Sequence, residues 1–407
     1  MARRVFLHVG LPKSGTTYLQ AVLGKNKKVL KQRAGLLYPG VTWSRQVDAV
    51  RDVRRMKLPP SQRTVVAGAW DRIVAEMQAW RGDAIMSMEW LCMANPGQVQ
   101  RIAKDLESTE LHVIFTVRDV GRTVPAAWQE FSQNRATWRW PEFLEQVTGE
   151  DPMGTSAGRA FWSQQDMELL LDRWSASVRS QRIHVVTLPQ SGADPAELWR
   201  RMAQVVDIDP EGYDLTDLGS NASLGMESAE LMRRVNVRLK EQGLTIGAYN
   251  NIFKHKVAKQ ILATRKGQES KVLLPTQYHD WARARAEQQI RAIESSGAQV
   301  VGDLDDLRPV FAATSGAQTV AHEPDADAVL DAAVQALIAV ALEPPRTKKR
   351  PAAAKPKAQP EPQPEPAREG VLRRAQLDVV DRVKGRSMKE LAAAVSRRVR
   401  RDTETNH

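Results

Sequence analysis

Four short segments of the chain are almost continuously apolar and lack the three- and four-residue spacing of a helix. They are Val5–Leu11, Ala84–Met88, Leu111–Arg118 and Arg182–Leu188. Such runs are typical of parallel strands that are buried on both faces of a sheet. The stretches between them have helical spacing and predict helices over Thr16–Leu23, Arg72–Arg81, Gln98–Leu106, Trp128–Gln133 and Gln164–Ser177.

Strands that alternate with helices predict an α/β fold, here a three-layer domain with a central parallel sheet flanked by helices. In such a sheet, ligands bind beyond the carboxyl ends of the strands. We therefore expect the chemistry of this protein directly after Leu11, Met88, Val117 and Leu188.

The pattern changes in the second half of the chain. From Glu227 it is mainly helical through Tyr278–Ile293, and Asp325–Leu342 predicts a lone helix. Residues 343–368 mix Pro with Ala, Lys, Glu and Gln, a composition that buries too little apolar surface to fold. We predict an α/β domain over residues 1–310, a helical extension over 311–342, a Pro-rich linker over 343–368 and a basic amphipathic helix in a partly disordered tail over 369–407.

Positive charge is concentrated at the end of the chain. The net charge is +11, and the residues from Pro344 onwards contribute 17 Lys and Arg against 8 Asp and Glu. The body before them is nearly neutral. This disfavours nucleic-acid binding by the core, because a protein groove that binds nucleic acid is lined with basic residues. The basic amphipathic pattern of the tail indicates that it binds an anionic membrane or an acidic protein. The alternative is a solvated or self-associating helix.

The single cysteine, Cys92, excludes a disulfide framework, a zinc ribbon and an iron–sulfur cluster. The sequence has no apolar run long enough for a transmembrane helix. The apolar start of the chain is interrupted by His8 and Lys13, too early for a signal peptide. We expect a cytoplasmic protein that can attach peripherally to a membrane through its basic tail.

The segment after the first strand combines glycines, a lysine and hydroxyl groups. Gly10 and Gly15 allow a tight turn, Lys13 adds a cation between them, and a helix follows. Because the first amides of a helix are unpaired and attract anions, we predict that Leu11–Gly15, here called the lysine loop, binds an oxyanion. A nucleoside-triphosphatase loop has its lysine directly after the second glycine, where this chain has Thr16.

The run Pro12-Lys13-Ser14-Gly15-Thr16-Thr17 resembles the 5′-phosphosulfate loop of sulfotransferases that use 3′-phosphoadenosine-5′-phosphosulfate (PAPS). The resemblance covers about residues 4–307 and implies a P-loop-like fold. It implies transfer of a sulfuryl group from PAPS to a hydroxyl of a small-molecule, glycan or lipid acceptor, with release of PAP and without a metal. Lys13 would contact the 5′-phosphate and stabilise the leaving phosphate, while the amides and hydroxyls of Ser14–Thr17 would hold it.

A second segment resembles the part of that family that binds the 3′-phosphate. The strand Leu111–Val117 is followed by Arg118, whose fork of donors suits a phosphate; an ion pair with Asp119 or another nearby carboxylate is the alternative. The resemblance implies a serine eight residues later, where this chain has Ala126, with Arg122 or Thr123 placed to compensate. The nearby run Trp128-Gln129-Glu130 resembles the bacterial branch of the family.

A third, short run, Arg265-Lys266-Gly267, resembles the late element that closes over the 3′-phosphate in the same family. The alternative for these residues is a solvated loop.

The acceptor hydroxyl must lose a proton as it attacks sulfur, and Glu89 follows the second predicted strand, beside the lysine loop. A carboxylate in a partly desolvated cleft has a raised pKa, which suits a general base near neutral pH. We expect Glu89 to be that base; the alternative is an ion pair or a charge at a helix N-terminus. Glu130 and Asp166 are further carboxylates on the acceptor side.

Several aromatic and histidine positions remain open between core and site. His8, His112 and His184 lie inside predicted strands and are expected in the core. Tryptophans between the third and fourth predicted strands form either core or an acceptor wall (Trp128, Trp138, Trp140, Trp162 and Trp174).

Two other functions stay open from the sequence. One is a P-loop kinase-like enzyme, which would need Mg²⁺. The other is a catalytically inactive homologue that binds the nucleotide and serves as a scaffold through its basic tail.

Overall fold

A computed structural model describes residues 2–218, 223–311 and 324–342. At its centre lies a six-stranded sheet in which every pair of neighbouring strands is parallel, in the order β2–β3–β1–β4–β5–β6. The strands are β1 (Arg4–Gly10), β2 (Leu36–Leu37), β3 (Asp83–Ser87), β4 (Glu110–Val117), β5 (Ile183–Thr187) and β6 (Gln299–Val301). The predicted α/β fold with a parallel sheet is confirmed.

Helices cover both faces of the sheet and build the second half of the chain. Up to β5 they are α1 (Thr16–Lys25), α2 (Lys27–Arg33), α3 (Trp43–Val53), α4 (Pro60–Val66), α5 (Ala69–Ala79), α6 (Pro96–Asp105), α7 (Val120–Gln133), α8 (Trp140–Thr148), α9 (Ser156–Trp162) and α10 (Met167–Ser175). After β5 come α11 (Glu197–Val205), α12 (Met226–Lys240), α13 (Ile246–Tyr249), α14 (His279–Ser295) and α15 (Ala326–Leu342). A π-helix, Asn250–Ile261, continues α13, and a 3₁₀-helix, Leu262–Gly267, follows it.

The central strand β1 shows why the sheet is buried on both sides. Val5, Leu7 and Val9 pack into one apolar layer, whereas Phe6 packs into the layer on the opposite face. All four side chains are almost fully buried, so the continuous apolar run reflects burial on two faces. The four predicted strands are all present.

The two outer strands were not predicted. β2 has two residues and β6 has three, and Gln299 and Val300 of β6 are exposed. Segments this short at a sheet edge have too few residues to show a strand pattern. Helix α7 begins at Val120, eight residues before the predicted start. The sequence did not predict its first turns because Gly121 and Pro125 lie inside them and both residue types disfavour a helix.

Helix α15 is not the lone helix that the sequence predicts. Its residues Val329, Ala332 and Ala336 are buried, and the helix packs against α12. Small side chains at helical spacing allow close packing between helices, which composition alone does not distinguish from a helix in solvent.

The linker over residues 343–368 and the tail over 369–407 lie outside the described residues. The proposed domain boundaries therefore stay predictions. Within the ranges that the structure covers, no helix is both long and apolar enough to cross a membrane.

Candidate functional site

The lysine loop joins β1 to α1 at the carboxyl edge of the sheet, where the sequence predicts the chemistry. Lys13 and Gly15 have backbone φ angles of 67° and 87°, both in the left-handed region. A methyl group on Gly15 would lie 2.3 Å from a side-chain carbon of Leu198, so both conformation and space require glycine there. No side-chain hydrogen bond from Gly15 caps α1, and the N-terminus of a helix attracts anions.

Backbone carbonyls and amides of the loop are tied to the rest of the domain. The Leu11 amide donates to the Thr116 carbonyl on β4 over 2.7 Å, and the buried side chain of Gln165 donates to the Pro12 carbonyl over 2.9 Å. Gln289 donates in turn to the Gln165 carbonyl over 2.8 Å. The loop therefore holds its conformation through contacts with β4 and with the segment before α10.

The hydroxyl of Ser14 points into the protein. Its side chain is buried, donates to the carbonyl of Leu11 and lies 2.7 Å from the hydroxyl of Thr116. The hydrogen atom of the Ser14 hydroxyl is thus engaged within the protein, and the role of this hydroxyl in holding the 5′-phosphate stays a prediction. Thr16 is also buried and Thr17 is exposed, so of these three side chains that of Thr17 is the one open to solvent.

The Lys13 ammonium lies 3.3 Å from the carboxylate of Glu130 on α7. Both side chains are partly exposed, so the pair is accessible from solvent and contributes little to stability. An anion at the loop would compete with Glu130 for the Lys13 ammonium. The structure thus brings together two residues that the sequence singled out separately.

Glu89 lies two residues after the end of β3, begins the 3₁₀-helix Glu89–Met93 and is next to the start of the lysine loop. A Cβ atom on Gly10 would be 2.9 Å from the Glu89 Cβ, which shows how closely the two chains approach. The Gln20 side chain donates to a Glu89 carboxylate oxygen over 2.8 Å. Burial raises the pKa of Glu89, and the negative charge of Glu130 adds to the increase, while its own amide, Gln20 and Lys13 lower it.

The guanidinium of Arg118 reaches the lysine loop and has no carboxylate partner among the described residues. Its Nη1 lies 3.4 Å from the Lys13 carbonyl, and its buried Nε has no hydrogen-bond partner. Asp119, the alternative partner, instead accepts from the Arg122 amide over 2.8 Å and forms an ion pair with the Arg122 side chain. Burial lowers the pKa of Arg118 to about 10. Ala126 lies on α7.

The structure does not connect the Arg265-Lys266-Gly267 run with the lysine loop through any contact of Arg265. The Arg265 side chain is buried and donates to Glu269 over 2.9 Å and to Asp331 of α15 over 3.0 Å. A further hydrogen bond joins it to Gln335. Gly267 ends the 3₁₀-helix, and the Lys266 side chain lies outside the described atoms. In this structure Arg265 joins the 3₁₀-helix Leu262–Gly267 to α15.

Lys254, on the π-helix, is a cation of the site that sequence reasoning missed. Glu130, Glu89 and Lys13 are all close enough to act on its charge, and burial lowers its pKa. π-Helices are rare and occur often at functional sites. The run Phe253-Lys254-His255-Lys256 is the available signal, but a cluster of basic residues on a helical segment is also typical of an exposed face.

A cavity of about 390 Å³ opens beyond the C-terminal end of α7, away from the residues of the lysine loop. It is lined by aromatic, amide and basic side chains, among them Phe131, Arg135, Trp138, Asn236 and Lys240. Of the five tryptophans discussed above, Trp138 is the one that lines it. The other four, Trp128, Trp140, Trp162 and Trp174, are core residues with at most 2% exposure.

Neither a family model nor a curated protein matches this chain. Among solved structures, a sulfotransferase from Alicyclobacillus acidocaldarius is similar to it, with 13% sequence identity and a TM-score of 0.35. The match covers 61% of this chain and 100% of that chain. The similarity is distant.

Proposed function

We propose that this protein is a PAPS-dependent sulfotransferase that transfers a sulfuryl group to an acceptor hydroxyl. The observation that carries the proposal is that two cationic side chains, those of Lys13 and Arg118, lie at the lysine loop. Arg118 is a largely buried guanidinium without a carboxylate partner among the described residues. A buried cation is costly unless it is paired, and a phosphate dianion would pair it.

The residues divide the work on the donor between them. The amides of the lysine loop and the first turn of α1 would bind the 5′-phosphosulfate, and Lys13 would leave Glu130 to contact the oxygen that bridges phosphorus and sulfur. Arg118 would bind the 3′-phosphate. PAPS, when bound, supplies an activated sulfuryl group.

The transfer step balances without a metal or a redox partner. The acceptor oxygen forms a bond to sulfur as the bond between sulfur and the bridging oxygen breaks, and PAP leaves with that electron pair. The proton of the acceptor hydroxyl passes to the Glu89 carboxylate, whose raised pKa suits a base. Lys13 stabilises the charge that develops on the departing phosphate.

A kinase-like enzyme is disfavoured because Thr16 stands where a nucleoside-triphosphatase loop has its lysine. An inactive scaffold would keep the anion site but would have no use for a carboxylate with a raised pKa beside it. The acceptor, the site of attachment to a membrane and the partner of the tail stay predictions.

Thermal-shift titration of the full chain with PAP, and separately with ADP and Mg²⁺, tests the proposal. At a PAP concentration of about 100 times its dissociation constant, binding adds about 2.7 kcal/mol to the free energy of unfolding. We expect stabilisation by PAP and its loss in Lys13→Met. The matched control is Lys28→Met, at an exposed lysine of α2. Stabilisation by ADP with Mg²⁺ alone would establish a kinase-like site instead.

A further inference from the structure

Three polar side chains replace the apolar row of the sheet directly beneath the lysine loop. His8 of β1, Ser87 of β3 and Thr116 of β4 lie on three adjacent strands, and each is completely buried. Two residues earlier along each of these strands, on the same face, the side chains are apolar: Phe6, Ile85 and Ile114. The apolar layer thus becomes a polar row, defined as His8, Ser87 and Thr116, where the strands approach the loop.

A continuous chain of hydrogen bonds links this polar row to the loop. The Ser87 hydroxyl lies 2.7 Å from His8 Nδ1, and His8 Nε2 lies 3.0 Å from the Thr116 hydroxyl. The Thr116 hydroxyl lies 2.7 Å from that of Ser14, which donates to the Leu11 carbonyl. The chain therefore crosses three strands and ends inside the lysine loop.

The Leu11 carbonyl, at which this chain of hydrogen bonds ends, fixes the direction of every hydrogen bond in it. A carbonyl oxygen only accepts, so the Ser14 hydrogen belongs to the Leu11 carbonyl, and the Thr116 hydroxyl must donate to Ser14. The Thr116 oxygen then accepts from His8, which places the imidazole hydrogen on Nε2. His8 Nδ1 consequently accepts from Ser87. Only one neutral tautomer of His8 satisfies all the members.

We propose that His8 is a positioning residue that holds the lysine loop in its anion-binding conformation through Thr116 and Ser14. The hydrogen bond from Ser14 to Leu11 closes the turn across Lys13, whose left-handed backbone conformation is uncommon for a lysine. His8 itself faces the interior and does not touch an anion at the loop. The proposal rests on the proposed function for its ligand readout alone.

Among the residues that the structure describes, no charged group acts on His8 to favour its protonation. Burial alone depresses the pKa of His8 to about 3, so the imidazole stays neutral under ordinary conditions. A neutral imidazole donates at one nitrogen and accepts at the other, as the chain requires. Protonation would put a hydrogen on Nδ1, reverse the hydrogen bond with the Ser87 hydroxyl and bury a charge.

Replacement of Thr116 tests the positioning role with little change in shape. Thr116→Val removes the hydroxyl and leaves both His8 Nε2 and the Ser14 oxygen without that partner, whereas Thr116→Ser keeps the chain. We expect the valine variant to bind PAP about tenfold more weakly in calorimetry of the full chain. The serine variant should stay within about threefold of the wild type.

A second readout needs no ligand. Amide hydrogen exchange of the peptide that contains the lysine loop should be about tenfold faster in Thr116→Val than in Thr116→Ser. The control is Ser132→Ala, which removes another buried hydroxyl that donates to a carbonyl, that of Trp128 within α7. It should leave both PAP affinity and exchange at the loop unchanged.

The outcomes separate this inference from the proposed function. If the wild type binds PAP and Thr116→Val behaves as Thr116→Ser in both measurements, the positioning role is wrong and the donor site stands. If the wild type does not bind PAP, the proposed function fails, and the exchange difference alone decides the positioning role. Selective ¹⁵N labelling of histidine adds a further check, because a hydrogen on His8 Nδ1 would contradict the direction of the chain.

Discussion

The carboxyl edge of the sheet and the helices from α12 to α15, here called the helical layer, differ in how they pair a buried arginine. Arg118, at the edge, has a buried Nε without a partner and a long contact to a carbonyl. Arg265, in the helical layer, pairs with Glu269 and Asp331 and hydrogen-bonds to Gln335. Both residues resemble family positions that bind the same phosphate, yet among the described residues Arg118 has no carboxylate partner and Arg265 has two.

The difference teaches how to distinguish a binding cation from a structural one. A structural ion pair satisfies both partners inside the fold, and removing one leaves a buried charge behind. A binding cation is kept without its partner until the ligand supplies it, at a cost to the stability of the free protein. Arg118 at the sheet edge fits the second description, and Lys13 beside it pairs with the partly exposed carboxylate of Glu130.

The largest effect should come from Glu89, the carboxylate of this edge. Glu89→Gln keeps the shape and the contact to Gln20 but cannot accept a proton. We expect the turnover of labelled PAPS, with the best acceptor from a panel of alcohols and phenols, to fall about 10²- to 10⁴-fold in kcat. PAP affinity should change little. Glu145→Gln, at an exposed position of α8, is the control, and wild-type turnover in Glu89→Gln would exclude Glu89 as the base.

The two arginines should respond to the same substitution in opposite ways. Arg118→Met removes a buried cation without an ion pair, so it should weaken PAP binding by about 10- to 100-fold and leave thermal stability nearly unchanged. Arg265→Met leaves the buried Glu269 carboxylate without its cation. It should lower the free energy of unfolding by about 3 kcal/mol or more, with little effect on PAP affinity.

Calorimetry with PAP and urea denaturation of both variants measure the two quantities. Each protein serves as the other's control, because both changes replace a largely buried arginine with the same side chain. Loss of PAP binding in a stably folded Arg265→Met variant would mean that the helical layer contributes to the donor site, and the contrast drawn above would fail.

Lys254 offers a smaller test of where the site ends. Lys254 is a cation of the helical layer whose charge interacts with those of Lys13, Glu89 and Glu130. These electrostatic interactions, rather than a direct contact, connect it with the site. Lys254→Met should weaken PAP binding about fivefold, since a charge acting across partly hydrated space contributes about 1 kcal/mol. Lys271→Met, at an exposed lysine that follows the 3₁₀-helix, should have no effect. Equal affinities in both variants would restrict the site to the sheet edge.

The sequence predicts the sheet edge far better than the helical layer. The lysine loop is local: its glycines, its lysine and the strand before it lie within about a dozen consecutive residues, and one turn of chain brings them together. The four inner strands are equally visible because burial on two faces makes them continuously apolar. The π-helix and the contact between α12 and α15 depend on packing between distant segments, which no local pattern encodes.

The same distinction explains why the surroundings of single side chains could not be predicted. Arg265 matches a short motif, but its partners lie 4 and 66 residues further along the chain. Ser14 lies in the strongest motif, and yet its hydroxyl turns inward because Thr116, far away in sequence, is placed to meet it. A motif therefore predicts where a backbone goes more reliably than where each side chain points.

The smallest effect concerns His8, which unlike Arg118 has all its hydrogen bonds at the sheet edge satisfied. Burial holds its pKa at about 3 in the folded protein, against 6.5 as the ordinary value. The unfolded chain therefore takes up a proton at His8 as the pH falls below about 6.5 while the folded protein does not, so stability is full above that pH and declines towards pH 3. From about pH 7.5 to about pH 6 this one group should lower the free energy of unfolding by about 0.8 kcal/mol.

Comparison with His8→Gln isolates that contribution from those of the other histidines. Glutamine can donate and accept but does not titrate in this range, so the decline in melting temperature between the two pH values should be smaller in the variant, by about 1 °C. The variant's absolute stability will differ for reasons of packing, but the difference between the two pH values removes that constant. If both proteins decline equally, His8 must bind a proton in the folded state. The single tautomer beneath the lysine loop would then be wrong, because a doubly protonated ring cannot accept from Ser87.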